Sequence, residues 1–359
     1  MTIAFDATPL AVRTGGVTRY TAELARALAR TFPEDHYWLL SDQDFAPPSG
    51  AMPANLAAGE KPQSFADRKW WALGLNREIS RRGVEVFHGT DFAVPYSQRV
   101  PAVMTLHDLS PWMNRDWQPG AARIRRRTPI LLRAELATMV ITPSEAVRRA
   151  AIERFKLDVN RVVAVPLAAS EHFRRVEVPK TEWPYLIFVG TLEPRKNVVR
   201  MIDAWREVRK RHDVELVIAG RVRSDFEVPA AESGLRLLGA VPEEQLPALY
   251  SGAVACVYPS LYEGFGLPVL EAFQCGALVI TSRDPAISEV AAGAAVQADA
   301  DGPDATRQLV EAMEAVVRAP ENFVDLRKRG LRRATEFSWE RTARKTREVY
   351  VDAIRRFRA

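Results

Sequence analysis

Two glutamates, Glu263 and Glu271, stand eight residues apart in the run Glu263-Gly264-Phe265-Gly266-Leu267-Pro268-Val269-Leu270-Glu271. A short apolar run closed by proline, Ala253-Val254-Ala255-Cys256-Val257-Tyr258-Pro259, precedes them. From Leu267 the spacing turns helical, with Pro268 in the first turn, where a missing N–H costs nothing. The spacing therefore predicts a strand, a glycine-rich turn and a helix. A helix N-terminus reached through glycines offers backbone N–H groups and a partial positive charge, which suit a phosphate or diphosphate. Glu263 would lie in the turn and Glu271 inside the helix, so that one carboxylate could reach a sugar and the other a pair of ribose hydroxyls.

Three further strings carry chemistry. Gly15-Gly16 falls between a first strand and a helix and permits close backbone approach of a ligand. His107, followed by Asp108, ends the apolar run Ala102-Val103-Met104-Thr105-Leu106, where functional residues of parallel sheets collect; His88 is a second histidine of this kind. Arg195 and Lys196 follow Gly190-Thr191-Leu192-Glu193-Pro194 and precede a helix. Fixed cations there would stabilise the charge of a departing diphosphate. The glycines do not form G-x-G-x-x-G with an acidic residue about 20 positions on, which argues against a dinucleotide oxidoreductase.

Together, in this order, the four motifs resemble those of retaining glycosyltransferases with the GT-B fold, family 4 in particular, and the resemblance spans nearly the whole chain. It implies two Rossmann-like domains with parallel sheets facing a central cleft. It further implies that the backbone of Gly16 meets the diphosphate, that His107 touches the transferred sugar, and that Arg195 and Lys196 hold the diphosphate. Glu263 would lie near the donor sugar, Glu271 on the ribose, and Gly264, Phe265, Gly266 and Leu267 around the donor. Similarity to bacterial O-antigen and exopolysaccharide mannosyltransferases makes GDP-mannose the expected donor, with UDP-sugars the alternative. The expected acceptor is a glycan or lipid-linked glycan.

The chain has 359 residues, 47% hydrophobic and 26% charged, enough for two domains of an ordinary globular protein. Apolar runs alternate with helix-length stretches throughout, the α/β pattern. Strands are expected at 3–7, 37–41, 84–88, 102–107, 139–142 and 162–165, then at 185–189, 215–219, 235–238, 255–258 and 278–281. The clearest helices are 18–30, 144–155 with Ser144 as N-cap, 198–211, 243–251, 268–274 and 339–358. Charge and two prolines mark a linker at 173–184, giving domains at 1–172 and 185–339. By resemblance, the last helix, 340–359, packs back on the first domain.

Residues 1–175 carry 24 Lys and Arg against 18 Asp and Glu, the remainder 26 against 27, for a net charge of +5. The basic excess is densest at Arg123-Ile124-Arg125-Arg126-Arg127. It fits either a solvated face or attraction to an anionic membrane surface or diphosphate-bearing acceptor; no nucleic-acid module is visible. The beginning of the sequence does not read as a signal peptide, and no apolar run approaches the ~20 residues of a membrane helix, so a cytoplasmic protein, peripheral at the inner membrane face, is expected. Cys256 and Cys275 read as reduced packing residues. Asp42-Gln43-Asp44 and Asp299-Ala300-Asp301 read as structural, so no metal or other cofactor is expected. A nucleotide-sugar epimerase, a phosphorylase or a glycan-binding scaffold on the same fold are the rival readings.

Overall fold

The computed structural model describes residues 1–12, 15–47, 51–62, 69–179, 182–227 and 230–358. The chain divides into two compact units, one formed by Met1–Leu167 with Ser338–Ala359, the other by Ala168–Phe337.

The first unit is built on seven strands: β1 (Thr2–Asp6), β2 (His36–Leu40), β3 (Leu56–Ala58), β4 (Val86–Gly89), β5 (Ala102–Thr105), β6 (Met139–Thr142) and β7 (Val162–Ala164). Their spatial order is β3-β2-β1-β4-β5-β6-β7, and the pairings are parallel. The second unit repeats the scheme with β8 (Tyr185–Val189), β9 (Glu215–Ala219), β10 (Leu235–Gly239), β11 (Ala255–Tyr258), β12 (Val279–Ser282) and β13 (Val296–Ala298), in the order β10-β9-β8-β11-β12-β13. The central strands β4, β5, β6, β8, β11 and β12 are buried along their length, as helices covering both faces require. In each sheet the order reverses once, between β1 and β4 and between β8 and β11. Loops leaving the C-terminal ends of those strands diverge and open the crevice in which α/β folds bind ligands.

Differences from the expected elements are local. β3 and β13, three residues each at sheet edges, carry one large apolar residue apiece and do not stand out from loop sequence. β5 ends at Thr105, which puts His107 in the following loop. Ser144 caps its helix as expected, its hydroxyl accepting from Val147 N at 3.2 Å. Residues 173–179 do not behave as a free linker: Phe173 packs edge-on against Tyr250, and Val176 N donates to the Ser251 hydroxyl. An aromatic anchor outweighs the prolines there, and the second unit begins at Ala168.

The helix Trp339–Arg358 completes the first unit, packing on the helix Gly16–Thr31 and on β4, β5 and β6. Thr342 donates to Pro166 O, and Arg347 pairs at 2.7 Å with Asp35, which is 1% exposed. Burial would raise the Asp35 pKa, but Arg347 and the N-terminal ammonium together lower it. Deeper in, the His88 ring meets the Tyr350 hydroxyl at 2.7 Å through Nδ1 and the Thr105 hydroxyl at 2.8 Å through Nε2. Thr105 in turn meets the Tyr20 hydroxyl. Burial, with a contribution from nearby His107, depresses His88 to about 3, so it is a neutral, fully partnered core residue. Tyr350→Phe should cost ~1–3 kcal/mol by stranding a buried ring nitrogen; a denaturant melt superimposable on that of the parent protein would sink this account.

Candidate active site

In the second unit, β8 leads through Gly190 to a short 3-10 turn, Pro194–Lys196, and Asn197 adopts the left-handed conformation (φ 58°) ahead of the helix Val198–Arg209. The Asn197 amide ties this corner down by donating to Pro259 O at 3.2 Å and Ala300 O at 2.8 Å. From the neighbouring strand, β11, the chain passes Tyr258 and Glu263 and enters the helix Leu267–Gln274 through Gly266, also left-handed at φ 101°. A side chain at Gly266 would strain the turn. The two loops meet because β8 and β11 are adjacent at the point where the strand order reverses.

Glu263 stands between both cations. Its Oε2 accepts from Arg195 Nη1 at 2.9 Å, and its Oε1 accepts from Lys196 Nζ at 2.6 Å and from the Tyr258 hydroxyl at 3.0 Å. Lys196 also donates to Tyr258, while Arg195 donates to Tyr262 O and to Glu193, both at 2.8 Å. Arg195, Lys196, Glu193 and Glu263 are each less than a tenth exposed. Burial would raise Glu263, but Arg195 and then Lys196 outweigh it and hold the carboxyl at about 2. Burial pulls Lys196 down against the opposing attraction of Glu263. Behind Glu263, Asp284 caps the helix Pro285–Ala291, accepting from Ile287 N at 3.0 Å, and its other oxygen accepts from Glu263 N at 3.3 Å. Burial, reinforced by the charge of Glu263, pushes Asp284 up to about 6.

Sequence reasoning found Glu263, Arg195 and Lys196 but not Glu193, Tyr258 or Asp284. Their signals were present: Glu193 shares the cationic string, Tyr258 ends a buried strand, and Asp284-Pro285 is an N-cap followed by a first-turn proline. Glu271 has separate company. It is 2% exposed and accepts from the Tyr250 hydroxyl at 3.2 Å, near the buried free cysteines Cys256 and Cys275. Gly264 lies in the turn, and Leu267 opens the helix, its N–H without an intrahelical acceptor. The Phe265 ring differs from expectation. It is 5% exposed and meets Phe337 edge-on at 5.8 Å, so hydrophobic burial turns it into the unit's core, not towards a ligand.

The remaining residues belong to the first unit. Gly16 opens the helix Gly16–Thr31, and the space where a Cβ would point is empty; Arg13 and Thr14 lie outside the described residues. His107 Nε2 donates to Thr90 O at 2.7 Å, which leaves Nδ1 as the acceptor nitrogen, and its ring packs against Tyr20 and Phe92. Asp108, adjacent in sequence, does not orient His107: one of its oxygens accepts from Ser110 N and Oγ in a local turn. The basic run 123–127 lies in the helix Ala122–Arg133. Arg125 is engaged with the carbonyls of Gln118 and Pro119, and Arg127 sits 5.3 Å from the Trp71 ring. Of the two D-x-D strings, Asp44 pairs with Lys61 and Asp299 with Arg283, whereas Asp42 lines a cavity. Among the described residues, no group of three or more His, Cys, Asp or Glu is placed to hold a metal, and no helix is long and apolar enough to cross a membrane.

This arrangement, buried cations beside a glycine-capped helix in a doubly wound domain, suits a nucleotide-sugar. The family description "Glycosyltransferase Family 4" matches residues 14–170, and "Glycosyl transferases group 1" matches residues 169–333. The chain belongs to the family 4 glycosyltransferases. It is 30% identical to O-antigen chain mannosyltransferase B of Escherichia coli, over 79% of this chain and 77% of that one. It is 29% identical to MMP alpha-(1->4)-mannosyltransferase of Mycolicibacterium hassiacum, over 82% and 77%. Among solved structures, sucrose-phosphate synthase of Thermosynechococcus elongatus superposes with a TM-score of 0.78 at 18% identity, covering 98% of each chain, which shows that the fold is GT-B.

The ion network has a pH signature. Glu263 has a folded pKa (about 2) below the ordinary value of 4.5, so its stabilising contribution is complete above pH 4.5 and is lost as pH falls towards 2. Glu263→Gln should destabilise the protein by ~3 kcal/mol at pH 7, because two buried cations lose their shared carboxylate. Urea melts as a function of pH should show the gap between variant and parent closing below pH 4.5; a gap independent of pH would contradict the ionised network.

Proposed function

We propose that the protein is a retaining mannosyltransferase that uses GDP-mannose and extends a glycan or lipid-linked glycan, without a metal. The observation that carries the reading is the pair of buried cations, Arg195 and Lys196, held by Glu263 beside the Gly266-capped helix. In the reaction, the bond between the anomeric carbon and the diphosphate oxygen breaks, and the diphosphate leaves with the electron pair. The acceptor oxygen bonds to the same carbon, and its proton passes to the departing phosphate. Charge grows on the diphosphate as this happens, and preorganised cations lower the barrier most where charge develops. Arg195 and Lys196 thus take the role that a divalent ion fills in other transferases. Lys196 spends two of its three N–H donors on Glu263 and Tyr258, leaving one for a phosphate oxygen. Glu263 keeps both cations aimed, Glu271 binds the ribose, and His107 presents its acceptor nitrogen to a sugar hydroxyl.

Two relatives named as mannosyltransferases support the transferred sugar, and the α linkage in one name corresponds to retention from an α-linked donor. Thermal unfolding should rise with GDP and GDP-mannose in preference to UDP or ADP, by about 2.7 kcal/mol at a hundredfold the Kd. EDTA should leave this shift intact, and Glu271→Ala should abolish it. A shift with UDP alone would replace the donor, and no shift with any nucleotide would remove the enzyme reading.

The first unit carries 29 Lys and Arg against 20 Asp and Glu, the second 21 against 25. On the helix Ala122–Arg133, Arg126, Ile130 and Arg133 share one face, and Ile130 is 66% exposed. An apolar side chain flanked by arginines suits an anionic bilayer surface, in keeping with a cytoplasmic protein peripheral at the inner membrane. Arg126→Glu with Arg133→Glu should cut cosedimentation with phosphatidylglycerol-containing vesicles several-fold, and unchanged cosedimentation would remove the membrane from the reading.

A further inference from the structure

The helix Leu246–Gly252 is held residue by residue along its last turn. Leu249 O accepts from the Tyr185 hydroxyl at 2.7 Å, and the Tyr250 ring meets Phe173 edge-on at 6.2 Å. The Ser251 hydroxyl accepts from Val176 N at 3.1 Å and donates to Cys275 O at 3.3 Å. At Gly252 a Cβ would fall 2.7 Å from the Tyr185 hydroxyl oxygen, so a side chain there would push that hydroxyl off its bond. The turn thus clasps the helix Leu267–Gln274 at two points one helical turn apart. Ser251 takes the carbonyl of Cys275, and Tyr250 donates to Glu271 Oε2 at 3.2 Å. Tyr250 and Glu271 are both buried.

A glutamate carboxylate turns easily about its last torsion, whose preference is broad and roughly two-fold. A ligand that needs the carboxylate at a set angle must freeze that torsion on binding, unless the protein has done so first. The vicinal hydroxyls of a ribose are such a ligand, because they lie side by side along the carboxylate edge. The Tyr250 hydroxyl fixes Oε2 and with it the carboxylate plane. Burial, then the Glu271 charge, holds the phenol well above the ordinary tyrosine range, so it remains a donor near neutral pH. The thiols of Cys256 and Cys275 are likewise raised by burial and then by Glu271, Cys275 to about 12, and a protonated thiol is only a weak donor. Tyr250 also orients the carboxylate without neutralising it, which leaves its charge to strengthen hydrogen bonds from ligand hydroxyls.

We propose that Tyr250 is a positioning residue that sets the Glu271 carboxylate for the two ribose hydroxyls, and so makes the site select ribonucleoside over deoxyribonucleoside diphosphates. The inference rests on the assignment of Glu271 to the ribose made above. A buried site built to hydrogen-bond a hydroxyl rejects the analogue that lacks it, because its own polar group is left unpaired. A carboxylate free to turn escapes that penalty by finding another partner, and the selection fades.

The test is titration calorimetry of the full chain with GDP and with 2′,3′-dideoxy-GDP, or with the uridine pair if the thermal screen selects UDP. The parent, Tyr250→Phe and Ser251→Ala are compared. The parent should bind the ribonucleotide about a hundredfold more tightly than its dideoxy analogue. In Tyr250→Phe the ratio should fall roughly tenfold, with the ribonucleotide weakened and the dideoxy analogue bound as before. Ser251→Ala, which loosens the clasp without removing the phenol, should narrow the ratio several-fold, and it serves as the test if Tyr250→Phe does not fold. A parent that binds neither nucleotide, or both alike, would fault the assignment of Glu271 to the ribose and the proposal with it. A discriminating parent whose variants keep the full ratio, or weaken both nucleotides equally, would overturn the role of Tyr250 and leave the donor reading standing.

Discussion

Placing Arg195, Lys196 and Glu263 together out of water is the condition on which the second unit is organised. Isolated buried charges cost several kcal/mol each, and the cost is offset only when partners and hydrogen bonds are nearly complete. That completeness needs two loops, distant in sequence, to meet with side-chain precision. Parallel neighbours β8 and β11 bring the loops to one place, left-handed Asn197 and Gly266 turn each chain into its helix, and Asp284 anchors the backbone of Glu263 from behind. Proline and glycine around the site are therefore consequences of an electrostatic requirement. In the function proposed above, a diphosphate arriving there would meet cations whose orientation has already been fixed, which would let the site favour a transition state over a ground state.

The two units share a strand order and differ in overall charge, the first with an excess of basic residues and the second with an excess of acidic ones, whereas the groups at the second unit's site balance: Arg195 and Lys196 stand against Glu193 and Glu263. Long-range fields follow net charge, while recognition follows the few groups at the site.

Much of this was legible in the sequence, for identifiable reasons. Strands such as 139–142, 185–189, 215–219 and 255–258 were read to the residue because burial on both faces writes them as uninterrupted apolar runs. β3 (Leu-Ala-Ala) and β13 (Val-Gln-Ala) escaped because each has one large apolar residue, whereas β7, equally short and also at an edge, was read from its Val162-Val163 pair. At the site, residues in short glycine- and proline-marked strings were visible. Glu193 and Asp284 also carried local marks, the cationic string and a first-turn proline, but that each is buried and partnered arises from what the fold packs against it. Phe265 shows the converse: its place in a motif suggested ligand contact, yet its apolar ring went where apolar rings are most stable.

His88 and His107 make the same argument within one sheet. Both sit at or just past the C-terminal end of a parallel strand, and pattern alone cannot separate them. His88 lies beneath the helix Trp339–Arg358, where hydroxyls from Tyr350 and Thr105 occupy both ring nitrogens and burial keeps it neutral, so nothing remains with which to act. His107 lies two residues beyond its strand, where one nitrogen is fixed on a backbone carbonyl and the tautomer this imposes leaves the other as an acceptor. Asp108 is adjacent in sequence, but a local turn with Ser110 claims it, and the group that orients the His107 ring is the carbonyl of Thr90. That carbonyl belongs to a loop held by the Thr90 hydroxyl on Asp6 O and by Phe92 N on Thr105 O, so a change to its backbone would disturb the histidine as well.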